Sequence, residues 1–133
     1  PLVEFYYKDD SLNDPLVTES QISTFEWATE TELGEIFEIA LRTNDFLCGL
    51  LSAVNLTLVD FKIEIGRSFR SESEKLIIAD EISPDTCRLW DSKTKKRLDK
   101  DVFRLNEGSI SIAYTEVADR FDLLPKNVRS AVR

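Results

Sequence analysis

An α+β fold, with an antiparallel sheet carrying helices packed on one face, is what this sequence predicts, and three stretches predict it. Val59, Phe61, Ile63 and Ile65 alternate with Asp60, Lys62 and Glu64, and a period of two is strand geometry. Leu33, Ile36, Phe37, Ala40, Leu41, Leu47, Cys48 and Leu51 recur at helical spacing over about six turns. Ile110, Ala113, Tyr114, Val117, Ala118 and Phe121 trace a second amphipathic helix. The 133 residues amount to one domain, 1–133, and a hydrophobic content of 42% is enough for a core.

In chain order, the apolar and aromatic residues 1–7 read as a strand, and residues 8–15 as a turn rich in Asp, Ser and Asn, with Pro15 keeping Asp14 out of helix. Thr29 and Glu32 match a capping box that opens the long helix, and acids crowd its first turns, where the helix dipole favours them. Asn44 interrupts the apolar stripe as a helix-edge residue, and Asn55 closes the helix. Residues 58–65 and 76–79 then read as two strands joined by the charged loop 67–75, most simply an antiparallel hairpin. Such a hairpin brings Asp80 alongside the charged face of Asp60, Lys62 and Glu64. Residues 82–86 form a turn, 88–91 a short extended piece, 92–98 a polar turn and 100–104 a helical turn. The second long helix is entered through Gly108 and Ser109. There is no internal repeat.

A lysine among carboxylates on one rigid face suits phosphate and Mg²⁺, which takes few protein carboxylates and completes its shell with phosphate oxygens and water. The same alternation describes the wet face of a half-buried sheet, and on the alternation alone that reading is favoured.

Composition removes other chemistries. With no histidine, Ser-His-Asp and Cys-His catalysis and most zinc sites are excluded. Four glycines, dispersed at 34, 49, 66 and 108, leave no Gly-rich phosphate loop within these residues. The net charge is −8, and residues 1–50 hold eleven acids against only Lys8 and Arg42. An acidic chain with one short basic cluster at Lys93, Lys95, Lys96, Arg97 and Lys100 argues against a nucleic-acid partner. The cluster fits either a solvated turn or attraction of one phosphorylated small molecule. No run approaches the roughly 20 apolar residues of a membrane span, and nothing resembles a signal peptide, so no membrane partner is expected. Cys48 and Cys87, in unrelated contexts, fit free thiols in a reducing compartment, and the expected location is cytoplasmic. Pro1 in place of an initiating Met marks a processed, truncated or partial chain. Homo-oligomerisation stays open.

The stretch LVDFKIEIG, followed by ADEISPDTCRLWD and then LDKDVFR, resembles the SAICAR synthetase family closely. EFYYKDDSLNDPLV is similar to the segment leading into that family's second half, and the resemblance covers residues 1–121. Three separated motifs stand in the family's order at the family's spacing. The resemblance implies the C-terminal lobe of an ATP-grasp-like two-lobed enzyme, with the N-terminal lobe absent from this chain. It implies a purine-biosynthesis ligase that uses ATP and Mg²⁺ to join L-aspartate to the carboxylate of carboxyaminoimidazole ribonucleotide through an acyl phosphate. Such chemistry needs positioning and charge neutralisation rather than a protein nucleophile.

Carried over by motif, Glu64 and Asp80 match the magnesium-binding acids, with Asp60 assisting through water. Lys62 matches the lysine on ATP phosphate oxygens. Asp85 and Arg88, in SPDTCR, match substrate-meeting residues, with Arg88 forking onto a phosphate or carboxylate. Those two and Lys62 are the expected catalytic residues. Lys8 and Asp14 match loop positions near nucleotide and substrate. Lys100 and Arg104 are read as substrate-binding, although each fits a helix-surface charge equally well. Trp90 is read as packing and Glu81 as outward or paired. The rival readings are a non-catalytic metal- or phosphate-binding module and an acidic protein-interaction domain. Intact Lys62, Glu64, Asp80, Asp85 and Arg88 together speak against both, and they reverse the preference for a merely wet face.

Overall fold

The computed structural model describes residues 1–68 and 75–125. It is a mixed α/β chain of small antiparallel ladders and helices, divided into two units: Pro1–Asn44 with Ile65–Ile78, and Asp45–Glu64 with Ala79–Arg133.

In the first unit, β1 (Phe5–Tyr6) pairs with β2 (Leu16–Val17), so only the end of the predicted strand 1–7 is laddered. The turn between them is built from its own side chains. Asp9 caps a 3₁₀ turn (Asp10–Leu12) by accepting from Ser11 N, and Asn13 and Asp14 both take positive φ. Helix α1 (Glu19–Thr24) follows, capped reciprocally by Thr18 and Gln21. Helix α2 (Glu30–Ala53) opens on the expected box: Thr29 N donates to Glu32 Oε2 at 2.8 Å, and Glu32 N donates to Thr29 Oγ1 at 3.2 Å. Phe5 meets Phe37 edge-on at 5.4 Å, and Tyr7 stacks on Trp27 at 4.3 Å. β4 (Ile65–Ser68) pairs with β5 (Lys75–Ile78), with Ile65 opposite Ile78. Much of the predicted charged loop 67–75 lies outside the described residues, as does the tail beyond 125.

The second unit is built on β3 (Leu56–Phe61) and β6 (Cys87–Asp91), which pair antiparallel. Asn55, at φ 58°, turns the chain out of α2 into β3, as expected of a residue that tolerates the left-handed region. Leu47 and Leu51 of α2, Leu56, Cys87, Leu89 and Leu98 form the buried core. Val102 of α3 (Asp101–Arg104) and Ala113 and Val117 of α4 (Ile110–Arg120) complete it. Cys48, expected on the buried stripe, is exposed, while Cys87 is buried.

The predicted hairpin needs correction. Residues 58–65 are not one strand paired with 76–79. Their first part ladders with β6, which follows the turn at 83–86, and only Ile65–Ser68 ladders with β5. The apolar alternation does not persist either. A bulge falls between Leu58 and Asp60, where Leu58 opposes Leu89 and Asp60 opposes Arg88, so Val59 is left over and is 42% exposed. A bulge shifts side-chain parity by one, which period-two reasoning cannot detect. Instead of one sheet, the described residues form three separate two-stranded ladders.

Candidate functional site

Lys62, Glu64, Asp80, Asp85 and Arg88 all belong to the second unit. Lys62 N still donates to Thr86 O across the β3–β6 pair at 2.8 Å, whereas Glu64 O accepts from Ala79 N at 2.8 Å. Glu64 and Asp80 therefore sit at neighbouring positions on adjoining segments, despite the changed strand pairing. Lys62 Nζ reaches Glu64 Oε1 at 2.9 Å, and Asp80 Oδ1 accepts from Glu81 N at 2.9 Å. Glu81 is exposed, as its parity suggested.

The SPDT segment that follows is a self-braced turn. Cys87 N donates to Ser83 O at 2.9 Å, and Asp85 N donates to Ser83 Oγ at 3.1 Å. Thr86 Oγ1 accepts from Ser83 N at 3.1 Å. Lys100 N donates to Pro84 O at 3.1 Å, joining the turn to the start of α3. These bonds aim the Asp85 carboxylate at two donors: Lys100 Nζ at 2.9 Å on Oδ2, and the Tyr114 hydroxyl at 3.2 Å on Oδ1. The Lys100 bond in particular holds the Asp85 carboxyl below its ordinary pKa. Burial, and then Asp85 itself, push the Tyr114 phenol up to about 12, so it remains a donor at neutral pH.

Arg88 is the hub of the same surface. Its Nε donates to Asp101 Oδ2 at 2.7 Å and its Nη1 to Asp60 Oδ2 at 2.6 Å, and both carboxylates raise its pKa. The Val59 bulge makes this possible by setting Asp60 opposite Arg88 in register. Arg104 Nη1 donates to Asp101 Oδ1 at 3.1 Å, and the Asp101 carboxyl is held low, chiefly by Arg88. Beneath the row, Asp99 is 1% exposed and accepts from Leu89 N at 2.8 Å and from Asp101 N at 2.7 Å. Asp60, Arg88, Asp101 and Arg104 thus form a chain of alternating charge, with Asp85 and Lys100 as a further pair.

Lys8 and Asp14 belong to the first unit, where Lys8 Nζ lies 3.7 Å from Asp14 Oδ2 and 3.1 Å from Asp10 Oδ1. Asp14 Oδ1 also accepts from Asp9 N at 2.9 Å. The basic cluster expected near 93–100 is dispersed onto separate partners. Lys96 pairs with Glu116 at 2.7 Å, Arg97 with Glu107, and Lys95 Nζ donates to Ser92 O at 2.9 Å. Trp90 packs half-buried, with the Arg97 guanidinium 6.0 Å from its ring centre.

Sequence reasoning missed Asp99, Asp101 and Tyr114. The aspartates stand in the LDKD stretch, but burial of one and pairing of the other come from tertiary contacts. Tyr114 lies on the apolar stripe of α4, and nothing in helical periodicity reports where its hydroxyl points. The surface offers fixed charges of both signs, and the Cys87 thiol lies buried, its pKa raised by that burial. Among the described residues, no group of three or more Asp, Glu or Cys could hold a metal ion. Two carboxylates, Glu64 and Asp80, fit a cation that keeps most of its shell for water and phosphate.

Comparison with known proteins places the chain in a family. Residues 1–121 match the model of the family described as SAICAR synthetase. A phosphoribosylaminoimidazole-succinocarboxamide synthase of Dinoroseobacter shibae is 57% identical over 127 residues, covering 96% of this chain and 50% of that protein. A crystal structure of the synthase of that name from Ehrlichia chaffeensis superposes with a TM-score of 0.88 at 49% identity, over 95% of this chain and 53% of the other. A SAICAR synthetase solved in complex with ADP superposes at 0.84 and 44% identity, over 90% of this chain and 50% of the other. The chain spans about half the length of the curated relatives it matches. With the motifs, the fold and these relatives in agreement, the chain belongs to the SAICAR synthetase family.

Proposed function

We propose that the full-length protein carrying this chain is an ATP-dependent ligase that joins L-aspartate to the carboxylate of carboxyaminoimidazole ribonucleotide, acting in purine biosynthesis in the cytoplasm. The observation that carries this reading is the 57% identity to a synthase of that name across almost the whole chain. The ADP complex of a 44% identical neighbour supports ATP as the nucleotide. Residues 1–133 are then the C-terminal, ATP-grasp-like lobe, and turnover requires more than this segment.

In this reading the substrate carboxylate is phosphorylated by ATP, the aspartate amine attacks the acyl phosphate, and phosphate leaves. Lys62 neutralises nucleotide phosphate oxygens. Glu64 and Asp80 hold Mg²⁺, which when bound supplies charge neutralisation at the phosphates. Arg88 binds the ribonucleotide's phosphate or carboxylate. Its Nε and Nη1 are engaged by Asp101 and Asp60, so the contact is made through Nη2, or through Nη1 once Asp60 turns aside. Asp85, held as a carboxylate, accepts from a substrate N–H or O–H group, and Lys100 and Arg104 add positive charge beside it. Lys8 and Asp14 serve the nucleotide and substrate from their own loop. The protein's contribution is orientation and electrostatics, supplied by the fixed charges of this surface.

The test is ADP release by the full-length protein, which must depend on both L-aspartate and the ribonucleotide, while residues 1–133 alone release none. Glu64→Gln and Asp80→Asn each keep shape and remove charge. Each should lower kcat by roughly two to three orders of magnitude, about 3–4 kcal/mol, with folding retained by circular dichroism. Normal turnover of either variant at ordinary Mg²⁺ would remove that residue from the metal site.

A further inference from the structure

Both oxygens of Asp85 are claimed from elements outside its own turn: Oδ2 by Lys100 at the entrance to α3, and Oδ1 by Tyr114 of α4. Lys100 is also bonded through its backbone to Pro84, so that bond follows from the turn itself. Tyr114 is different, because it comes from α4, whose fully buried residues, Ala113 and Val117, are apolar. Its ring packs against the core while its hydroxyl reaches the site surface. A phenol donor is more directional than an ammonium, whose three protons rotate. We infer that Tyr114 is a positioning residue, whose hydroxyl fixes the Asp85 carboxylate so that the lone pairs left over meet a hydrogen-bond donor of the ribonucleotide. The inference rests on the proposed function and adds a residue to it. With its pKa raised to about 12, the phenol keeps its proton throughout the working range. The carboxylate offers about four lone-pair directions, of which Lys100 and Tyr114 use two.

The experiment is Tyr114→Phe in the full-length protein, alone and with Asp85→Asn. The hydroxyl is removed and the ring remains, so the core contact survives. The expected result is a KM for the ribonucleotide raised about three- to tenfold, the value of one hydrogen bond. The kcat and the KM for ATP should stay within about twofold, and the melting temperature should hold. In the Asp85→Asn background the substitution should add no further loss, because Tyr114 acts only through Asp85. An unchanged ribonucleotide KM, a rise shared equally by ATP, or full additivity with Asp85→Asn would overturn the inference. A wild-type protein without aspartate- and ribonucleotide-dependent ADP release would instead overturn the proposed function, which keeps the two failures apart.

Discussion

Arg88 and Arg120 each hold two carboxylates in the same unit, yet they stand in different surroundings. Arg88 projects from β6 with its side chain 48% exposed and bridges Asp60 and Asp101. Arg120, on α4, is only 20% exposed; it pairs with Asp91 at 2.7 Å and Glu116 at 2.6 Å and donates to Asn55 O at 2.8 Å. The first spends charge on a surface that water still reaches, where ion pairs contribute little to stability. The second ties α4 to the strand end and to the turn out of α2. The difference teaches that pairing alone does not mark function. Under the proposed function, the open arginine exchanges one of its carboxylates for a ligand, whereas the shielded one ties elements of the fold together.

The sharpest way to break this comparison is Arg88→Lys in the full-length protein. Losing the planar fork should lower kcat/KM for the ribonucleotide by roughly 100-fold with little dependence on salt, and the melting temperature should barely move. A fall in melting temperature with unaltered kinetics would make Arg88 a second clamp. Arg120→Met should behave in the opposite way. Removing the guanidinium should lower the melting temperature by several degrees, because Asp91 loses its charged partner while Glu116 keeps Lys96, with kcat/KM of the folded fraction within about twofold.

A third arginine supplies a pH test. In the first unit, Arg67 grips Glu32 through Nε at 2.6 Å and Nη2 at 3.0 Å, and that bond above all lowers the Glu32 pKa from 4.5 to about 2. The folded pKa is depressed, so the unfolded state binds the proton first. The stabilisation is fully present above about pH 4.5 and is lost as pH falls toward 2. Glu32→Gln should flatten that part of a stability-versus-pH curve measured by urea unfolding, and an unchanged slope would show that the pair does not act in solution. The smallest effect is expected from neutralising Lys95 and Lys96 together. Lys95 is engaged by the Ser92 carbonyl and Lys96 by Glu116, so the ribonucleotide KM should change less than twofold, and only at low ionic strength, since salt screens such charges beyond about 8–10 Å.

What was legible in the sequence follows from what is local. The Thr29–Glu32 box, the helix it opens, the Asn55 exit and the SPDT turn are all set by residues within four or five positions of each other. Thr18 and Gln21 spell the same box before α1, whose six residues carry too little periodicity to mark a helix by pattern. Strand partnership was not legible. Residues 58–61 were free by pattern to pair with 76–79 or with 87–91, and the choice depends on which pairing buries Leu56, Leu58 and Leu89 against α2 and α4. Lys62, Glu64, Asp80, Asp85 and Arg88 nevertheless all fall in the second unit, because motif spacing survives an error in strand partner. Their internal bonding, Asp60 to Arg88 above all, depended on one unpaired residue at Val59.

Asp99 has a consequence for how the surface opens. One buried carboxyl group holds the amide of Leu89, next to Arg88 on β6, and the amide of Asp101, which itself grips Arg88 from α3. Breaking either bond leaves a buried acceptor unsatisfied and costs on the order of 1–3 kcal/mol, so the two amides gain little by opening separately. They should exchange their hydrogens with solvent together, at one common rate, as parts of a single cooperative event. The strand that bears the guanidinium and the helical turn that bears its anchor therefore come apart only as a unit, and the arginine keeps its alignment until both let go.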